Sequence, residues 1–216
     1  FQDCNDKGHF FTSVNYLDND GIVRGKKDTY TRLTAQLNAD YQLYKWIKVG
    51  TNTSIEKWAT RNITHQSAYG SMLAPTLLLD PLTPVYWDSV DDFPTSMKDV
   101  YATNPEKILI APNGKYYATS KFQMDDNGNP LLQRDRRNQK SSGFTVRGTA
   151  FVDLTPIDGL IMTSRFSYRI AQSNSHDYSE PYYMNGQAKA DNYSISANAN
   201  NNHYYQWENF ANFNKT

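Results

Sequence analysis

The stretch YTRLTAQLNADYQLYKWIKVGTNTSIEKW, residues 30–58, decides the fold. From Leu33 to Leu43, leucine, alanine and tyrosine alternate with charged and amide side chains. A period of two is typical of a β-strand with two different faces. After Tyr44–Trp46 the alternation resumes from Ile47 to Ile55. The stretch therefore predicts two strands joined as a hairpin by a very short turn.

The length of these strands bears on the class of protein. Each has about 11 residues, whereas about 5 or 6 is usual in a soluble protein and about 9 to 11 cross a bilayer at a tilt. Tyr41, Tyr44 and Trp46 lie beside the predicted turn, and such aromatic clusters are typical of the interfaces of membrane barrels. Alternation also occurs in soluble sandwiches that have one solvated face. Both architectures remain open on this stretch alone.

Composition limits the possible partners and sites. The chain has 216 residues and zero formal net charge, and a basic run is missing beyond Arg134–Arg137, which argues against a nucleic-acid partner. No window approaches the roughly 18 consecutive apolar residues of a membrane helix, so a membrane interpretation must be a β-barrel. The single Cys4 excludes an internal disulfide framework and a cysteine-based zinc site. The chain begins without an initiator methionine or a leader, so we expect a mature segment or an excised piece.

Alternation elsewhere in the chain predicts further strands. The complete prediction is six antiparallel strands at about 10–17, 30–44, 47–58, 144–154, 160–171 and 204–214 in one domain. Long loops at 59–143 and 172–203 alternate with tight turns, which is the rule for up-and-down outer-membrane barrels. Arg147, Arg165 and Arg169 fall on a polar strand face, which suits a wet lumen better than a sandwich core. The fold class predicted is all-β, with partly structured loops.

The long loop is expected to have local structure. Residues 67–79 predict a short helix that Pro75 interrupts, and the prolines of 81–87 predict an extended segment. Asp125–Gly128 predicts the turn of a small hairpin, flanked by strands from Tyr116 and from Leu131. A calcium loop is rejected there, because Pro130 replaces the required glycine and Arg136 the required glutamate.

Candidate catalytic groups are scattered. The four histidines, of which His65 and His176 are predicted to lie in loops, form no metalloprotease motif, and no nucleophile motif accompanies them. We therefore expect no enzyme, no metal and no cofactor.

The candidate ligand contacts are loop aromatics, because aromatic rings suit sugar surfaces and peptide side chains. They are Tyr86, Trp87, Tyr182 and Tyr183. The alternative is that these rings pack the loops against each other or against a partner.

Five segments carry a resemblance to a known family. They are NYLDNDGIVRG (15–25), YTRLTAQLNADYQLYKWIKVGTNTS (30–54), PLTPVYWDS (81–89), LTPIDGLIMTSRFSYR (154–169) and WENFANFNKT (207–216). In that order they resemble the barrel region of SusC-like (RagA-like) TonB-linked outer-membrane receptors. The similarity spans nearly the whole chain and is weakest from about 98 to 142. No single motif is diagnostic, but the ordered series is fairly specific.

The resemblance implies a function and a location. Such receptors import oligosaccharides or peptides across the outer membrane of Gram-negative bacteria, beneath a SusD-like lipoprotein and with energy from TonB. In the family a plug with the TonB-contact segment precedes this region and closing strands follow it, so we expect an open barrel with unpaired edges and a lipid-facing surface. The alternative is a soluble β-sandwich of the carbohydrate-binding or adhesin type. A glycan hydrolase is disfavoured because no carboxylate pair stands out.

Overall fold

The computed structural model describes residues 2–63, 72–123 and 128–214. Seven strands form one antiparallel sheet in the order β1-β2-β3-β4-β7-β8-β11, and the four short strands form two small ribbons in the loops. The strands are β1 (Gln2–Asn5), β2 (Gly8–Asp20), β3 (Thr29–Tyr44), β4 (Ile47–Arg61), β5 (Tyr86–Trp87), β6 (Tyr116–Tyr117), β7 (Arg137–Ile157), β8 (Leu160–Ser179), β9 (Tyr182–Tyr183), β10 (Lys189–Ala190) and β11 (Ser194–Phe213). The helices are α1 (Leu73–Leu78), α2 (Thr95–Thr103) and α3 (Pro130–Asp135), with 3-10 turns at Val90–Asp92 and Pro105–Lys107.

The hairpin predicted from residues 30–58 is β3 and β4, joined by the two residues Lys45 and Trp46. Beyond it, Gly50 of β4 lies opposite Phe151 of β7. A Cβ at this position would come within 2.4 Å of the Phe151 ring. The ring of β7 therefore occupies the space that a side chain on β4 would fill.

Three strands are much longer than the sequence predicts. β7 has 21 residues, and β8 and β11 have 20 each. The predicted loop 172–203 is therefore wrong over most of its length, because it contains the end of β8 and the start of β11, and 137–143 belongs to β7. In the extension of β8 both faces are polar, with Asn174 and His176 on one face and Ser173 and Ser175 on the other, so this strand gives no alternation to detect. In the extension of β11 the only apolar side chains on one face are Ile195, Ala197 and Ala199, and this short, mostly alanine pattern is a weak signal.

The sheet has two faces of opposite character. We call one the apolar face. On the central strands it comprises Leu33, Ala35, Leu37, Ala39, Tyr41 and Leu43 of β3, Val49 and Ile55 of β4, Phe144, Val146, Ala150, Val152 and Leu154 of β7, and Met162, Phe166, Tyr168 and Ile170 of β8. The opposite, polar face comprises the alternate residues, including Arg32, Gln36, Asn38, Arg147, Arg165 and Arg169.

The described sheet has no hydrophobic core of its own. Leu33, Phe144 and Phe166 on the apolar face are 46%, 40% and 44% exposed. Every buried hydrophobic residue of the described chain lies outside the seven strands. A sandwich needs a second sheet packed on the apolar face, and the described residues provide none. The architecture is that of an open barrel wall, as predicted for the fold class.

The core lies instead in the loops at one end of the sheet. One buried cluster contains Tyr117, Leu132, Tyr182 and Met184, and a second contains Trp87, Phe93, Met97 and Ile108. We call residues 72–123 and 128–136, together with 180–193, the loop assembly. The other end of the sheet has the tight turns at Lys7, Trp46 and Asp158.

The local predictions for the long loop have mixed outcomes. α1 contains Pro75, although the predicted helix began in residues outside the described ranges. The strand predicted from Leu131 is wrong, because 130–135 form α3. The side chain of Asn129 accepts hydrogen bonds from the backbone N–H groups of Leu131 and Leu132, which caps the helix. Of the predicted turn at Asp125–Gly128, residues 125–127 lie outside the described residues.

Candidate functional site

The polar face presents a shallow depression of about 440 Å³. It is lined by polar side chains of five strands, among them Gln36, Asn52, Arg147, Arg169 and Tyr204. Arg147 and Arg169 are directly opposite each other on β7 and β8. In the described part of the chain, neither guanidinium forms an ion pair with a carboxylate. The depression therefore offers hydrogen-bond donors and positive charge to whatever occupies that side.

Arg165 lies on the same face, two residues further toward the tight turns than Ser167. Its guanidinium carbon is 5.5 Å from the centroid of the Phe210 ring on β11. Its register partner on β11 is Glu208. The structure therefore places all three predicted arginines on the polar face, opposite the apolar face, which Thr51 and Thr53 of β4 interrupt.

Trp87 and Tyr182, two of the predicted ligand contacts, are each 5% exposed. The Trp87 ring packs 5.5 Å from Phe93. The guanidinium of Arg136 lies 4.5 Å from the centroid of Tyr182, whose hydroxyl accepts a hydrogen bond from Gln133 Nε2 at 3.1 Å. These contacts leave the two rings little surface for a ligand, and they bind the two long loops together.

Tyr86 and Tyr183, the other two predicted contacts, are half-buried against the same clusters. Tyr86 packs 5.8 Å from Tyr117, its register partner on β6. β9, which contains Tyr183, pairs with β10. A ligand role for these partly exposed rings stays a prediction.

A polar network that the sequence did not predict joins the loop assembly to the loop that precedes β3. Asp135 accepts hydrogen bonds from the Tyr117 hydroxyl at 2.7 Å and from Arg134 Nε and Nη2 at 2.7 and 2.8 Å. Lys27 Nζ donates to the backbone carbonyl oxygens of Asp135 and Arg137. The short loop before β3 is thus tied to the end of the long loop. Lys27 and Tyr117 are too distant in sequence from Asp135 for any local pattern to predict this.

The network shifts the proton affinities of its members. Burial, together with the hydrogen bond to Asp135, raises the pKa of Tyr117. Burial disfavours the ionised form of Asp135, but the hydrogen bonds from Arg134 and Tyr117 outweigh it and hold the pKa of Asp135 below its ordinary value. The network is therefore built around an ionised carboxylate and a neutral tyrosine.

Two absences concern the described residues alone. No group of three or more His, Cys, Asp and Glu side chains is arranged there to hold a metal ion. No helix within the described ranges has the length and apolarity to cross a membrane.

His176, predicted to lie in a loop, is part of β8 instead.

No protein-family model matches the chain. Its fold matches a solved structure of the RagAB peptide importer in a closed-closed state, with a TM-score of 0.64, 16% identity, and coverage of 100% of this chain and 21% of that one. The TonB-dependent receptor P39 of Formosa agariphila is 27% identical over 220 residues, which cover 100% of this chain and 17% of that protein. The chain resembles SusC/RagA-like TonB-dependent receptors, and these similarities support its interpretation as a segment of such a receptor.

Two further RagAB structures share the fold of this receptor segment. They are the peptide importer in an open-open state, with a TM-score of 0.63, 16% identity and coverage of 97% of this chain and 20% of that one, and the RagAB peptide transporter, with a TM-score of 0.63, 17% identity and coverage of 98% and 21%. The receptor segment thus spans about a fifth of the length of the proteins it matches. The names of these relatives describe a receptor and a peptide transporter.

Proposed function

We propose that this receptor segment forms part of the wall and outer loops of a nutrient importer in the outer membrane of a Gram-negative bacterium. The observation that carries the proposal is a long, two-faced sheet with no hydrophobic core, whose apolar side chains stay exposed. In an outer-membrane barrel, lipid covers such an apolar face. The polar face then lines the lumen, with Arg147 and Arg169 in its wall.

The height of the apolar face fits a bilayer. Leu33 to Leu43 is ten residue steps on β3, or about 33 Å at roughly 3.3 Å per residue. Tilted by about 40°, this length spans about 25 Å, the height of the apolar band of outer-membrane barrels. Tyr44 and Trp46, whose ring centroids are 6.3 Å apart, lie at its lower edge, where aromatic girdles occur.

The edge of the apolar face also runs obliquely across the sheet. Tyr16 ends it on β2, and the register from strand to strand places Tyr16 level with Asn201 on β11. On β11 the last aromatic residue of that face is Tyr205, four residues lower. When strands are tilted by about 40°, the residue at which a strand crosses the boundary of a flat membrane moves by about one position from each strand to the next. A shift of four residues over five steps supports tilted strands crossing a planar bilayer.

The proposed cargo is an oligosaccharide or a peptide, moved with energy from TonB in cooperation with a SusD-like surface lipoprotein. The names of the RagAB peptide importer and transporter favour peptides. Their open-open and closed-closed states support a partner that covers the outer mouth. The loop assembly is the part of this chain that such a partner would meet.

Thiol labelling of intact cells tests the orientation. In a full-length receptor whose native thiols, Cys4 among them, are replaced by serine, Lys98→Cys lies on the exposed side of α2 and Lys45→Cys in the tight turn. A membrane-impermeant maleimide should label Lys98→Cys in intact cells and label Lys45→Cys only after lysis. Labelling of both in intact cells, or of Lys45→Cys alone, would refute the orientation.

Growth on defined nutrients tests the transport activity. Deleting the receptor gene should abolish growth on its peptide or oligosaccharide mixture, and the same loss should follow from deleting TonB. Growth that is unchanged in either deletion strain would contradict import by this receptor.

A further inference from the structure

Charge is distributed unevenly between the two faces of the sheet. On β3, β4, β7, β8 and β11 every acidic residue lies on the polar face; these are Asp40, Glu56, Asp153, Asp177 and Glu208. The apolar face of the same strands carries the cations Lys57, Arg61 and Lys140 near the end with the long loops, together with the histidines His176 and His203. These cations have no acidic neighbours on their own side of those five strands.

Three of these side chains lie next to each other. Arg61 on β4 is in register with Lys140 on β7, and Lys140 with His176 on β8. Directly opposed side chains have Cβ atoms about 5 Å apart, and like charges in such pairs are destabilising. Arg61 donates one hydrogen bond, from Nη1 to the carbonyl oxygen of Lys26 at 3.2 Å. We call Arg61, Lys140 and His176 the cationic row; an anion bound there would relieve the repulsion between Arg61 and Lys140.

The described residues supply few anions here. Among the described residues, no carboxylate pairs with Arg61, Lys140 or His176. Asp20 on the same face of β2 is in register with Thr29 and through it with Arg61. That is two strands from Arg61, or about 10 Å, and a further strand from Lys140.

The cationic row lies just above the apolar face. Lys140 is four residues beyond Phe144 on β7, which is about 13 Å along the strand and about 10 Å along the membrane normal at a tilt of about 40°. The polar layer of a bilayer begins at the edge of the hydrocarbon region. Hydroxyl and amide groups of Thr31, Ser142 and Asn174 line a groove of about 340 Å³ between the row and the apolar face.

We propose that Arg61, Lys140 and His176 bind the phosphorylated head group of an outer-leaflet lipid. The inference rests on the proposed orientation, in which this face meets lipid. Guanidinium and ammonium groups are strong phosphate donors, and the groove leads directly to the exposed side chains of Phe144 and Ile55, where acyl chains pack. A free phosphate ion has no acyl chain to pack against these apolar side chains, so the proposed ligand is a lipid and not a soluble anion.

The test measures lipid affinity of the detergent-solubilised full-length receptor by native mass spectrometry. The probes are bisphosphorylated lipid A and the same lipid after phosphatase treatment. Each cation near a lipid head group adds about fivefold in affinity, so Arg61→Gln/Lys140→Gln should bind lipid A roughly 30-fold more weakly. Removing the lipid phosphates should weaken binding to the native receptor similarly.

Lys98→Gln/Lys189→Gln is the matched control, since it removes two exposed lysines from the loop assembly. It should bind lipid A as the native receptor does. Equal affinity in the cationic-row variant, or equal loss in the control, would overturn the proposal. Displacement of lipid A by inorganic phosphate at low millimolar concentration would also overturn it, in favour of a soluble anion. If the thiol labelling gives the expected orientation while these results fail, the lipid site is wrong and the importer proposal stands.

Discussion

Adjacent residues on opposite faces of β3 provide a sharp test of which face meets lipid. Leu37 lies on the apolar face and Asn38 on the polar face, and both are near the centre of the span from Leu33 to Leu43. Arginine on the lipid face of a barrel costs about 2–4 kcal/mol at the bilayer midplane. Leu37→Arg should therefore lower the folding equilibrium constant about 30-fold to several hundredfold. Asn38→Arg, at the same depth but facing the lumen, should cost less than about 1 kcal/mol.

The assay is urea unfolding of the full-length receptor in lipid vesicles, followed by the heat-dependent gel shift of folded barrels. Thr31→Arg is a depth control, because Thr31 lies on the same face above the apolar side chains, where the cost falls to about 0–1 kcal/mol. The order of destabilisation should be Leu37→Arg, then Thr31→Arg and Asn38→Arg. An Asn38→Arg variant that is as unstable as Leu37→Arg would refute the assignment of faces.

Three further predictions concern the loop assembly, each measured by hydrogen exchange of its peptides in the full-length receptor. Met97 is 1% exposed, so Met97→Ala should lower the stability of this region by about 2–5 kcal/mol and speed exchange around α2. Asn129→Ala removes the cap of α3 and the donor to the carbonyl oxygens of Val85 and Ala118, at a cost of at least about 1 kcal/mol. The lowered pKa of Asp135 predicts that its contribution is complete above about pH 4 and is lost as the pH falls through the lower folded-state value.

The controls use the same receptor. Lys98→Ala, on the exposed side of α2, should leave exchange unchanged; a change as large as that of Met97→Ala would contradict the packing described. Asn129→Asp retains a capping oxygen but places a buried carboxylate oxygen against the carbonyl oxygens of Val85 and Ala118, so it should speed exchange at least as much as Asn129→Ala; normal exchange in this variant would contradict the described contacts. Asp135→Asn should flatten the acid dependence of exchange in 116–136, and an unaltered dependence would exclude Asp135 as its source.

The central part of the sheet was predictable because apolar and polar side chains alternate along its strands. Leu33–Leu43 and Phe144–Leu154 show this pattern directly, and the short turn at Lys45–Trp46 follows from it. The extensions of β8 and β11 toward the loop assembly were not predicted, because β8 is polar on both faces there and β11 has only Ile195 and two alanines on its apolar face.

The loop assembly needed long-range information. Tyr182 and Trp87 look like exposed loop aromatics in the sequence, and only their partners on distant segments bury them. Asn129–Pro130 did offer a local signal, since asparagine before proline is a common helix start. The turn signal at Asp125–Gly128 instead favoured a hairpin strand from Leu131, where the structure has α3. The cationic row was equally hidden, because Arg61, Lys140 and His176 become neighbours only through strand register.

The location of the buried clusters has a consequence for the order of folding. Leu132 and Tyr117 are joined in one cluster by Tyr182 and Met184, which follow β8. The cluster is therefore incomplete until β7 and β8 have paired and the chain has turned back toward β11. Opening the loop assembly would then require separating Tyr182 and Met184 from Tyr117 and Leu132, so this buried cluster links the segment after β8 to the segment before β7.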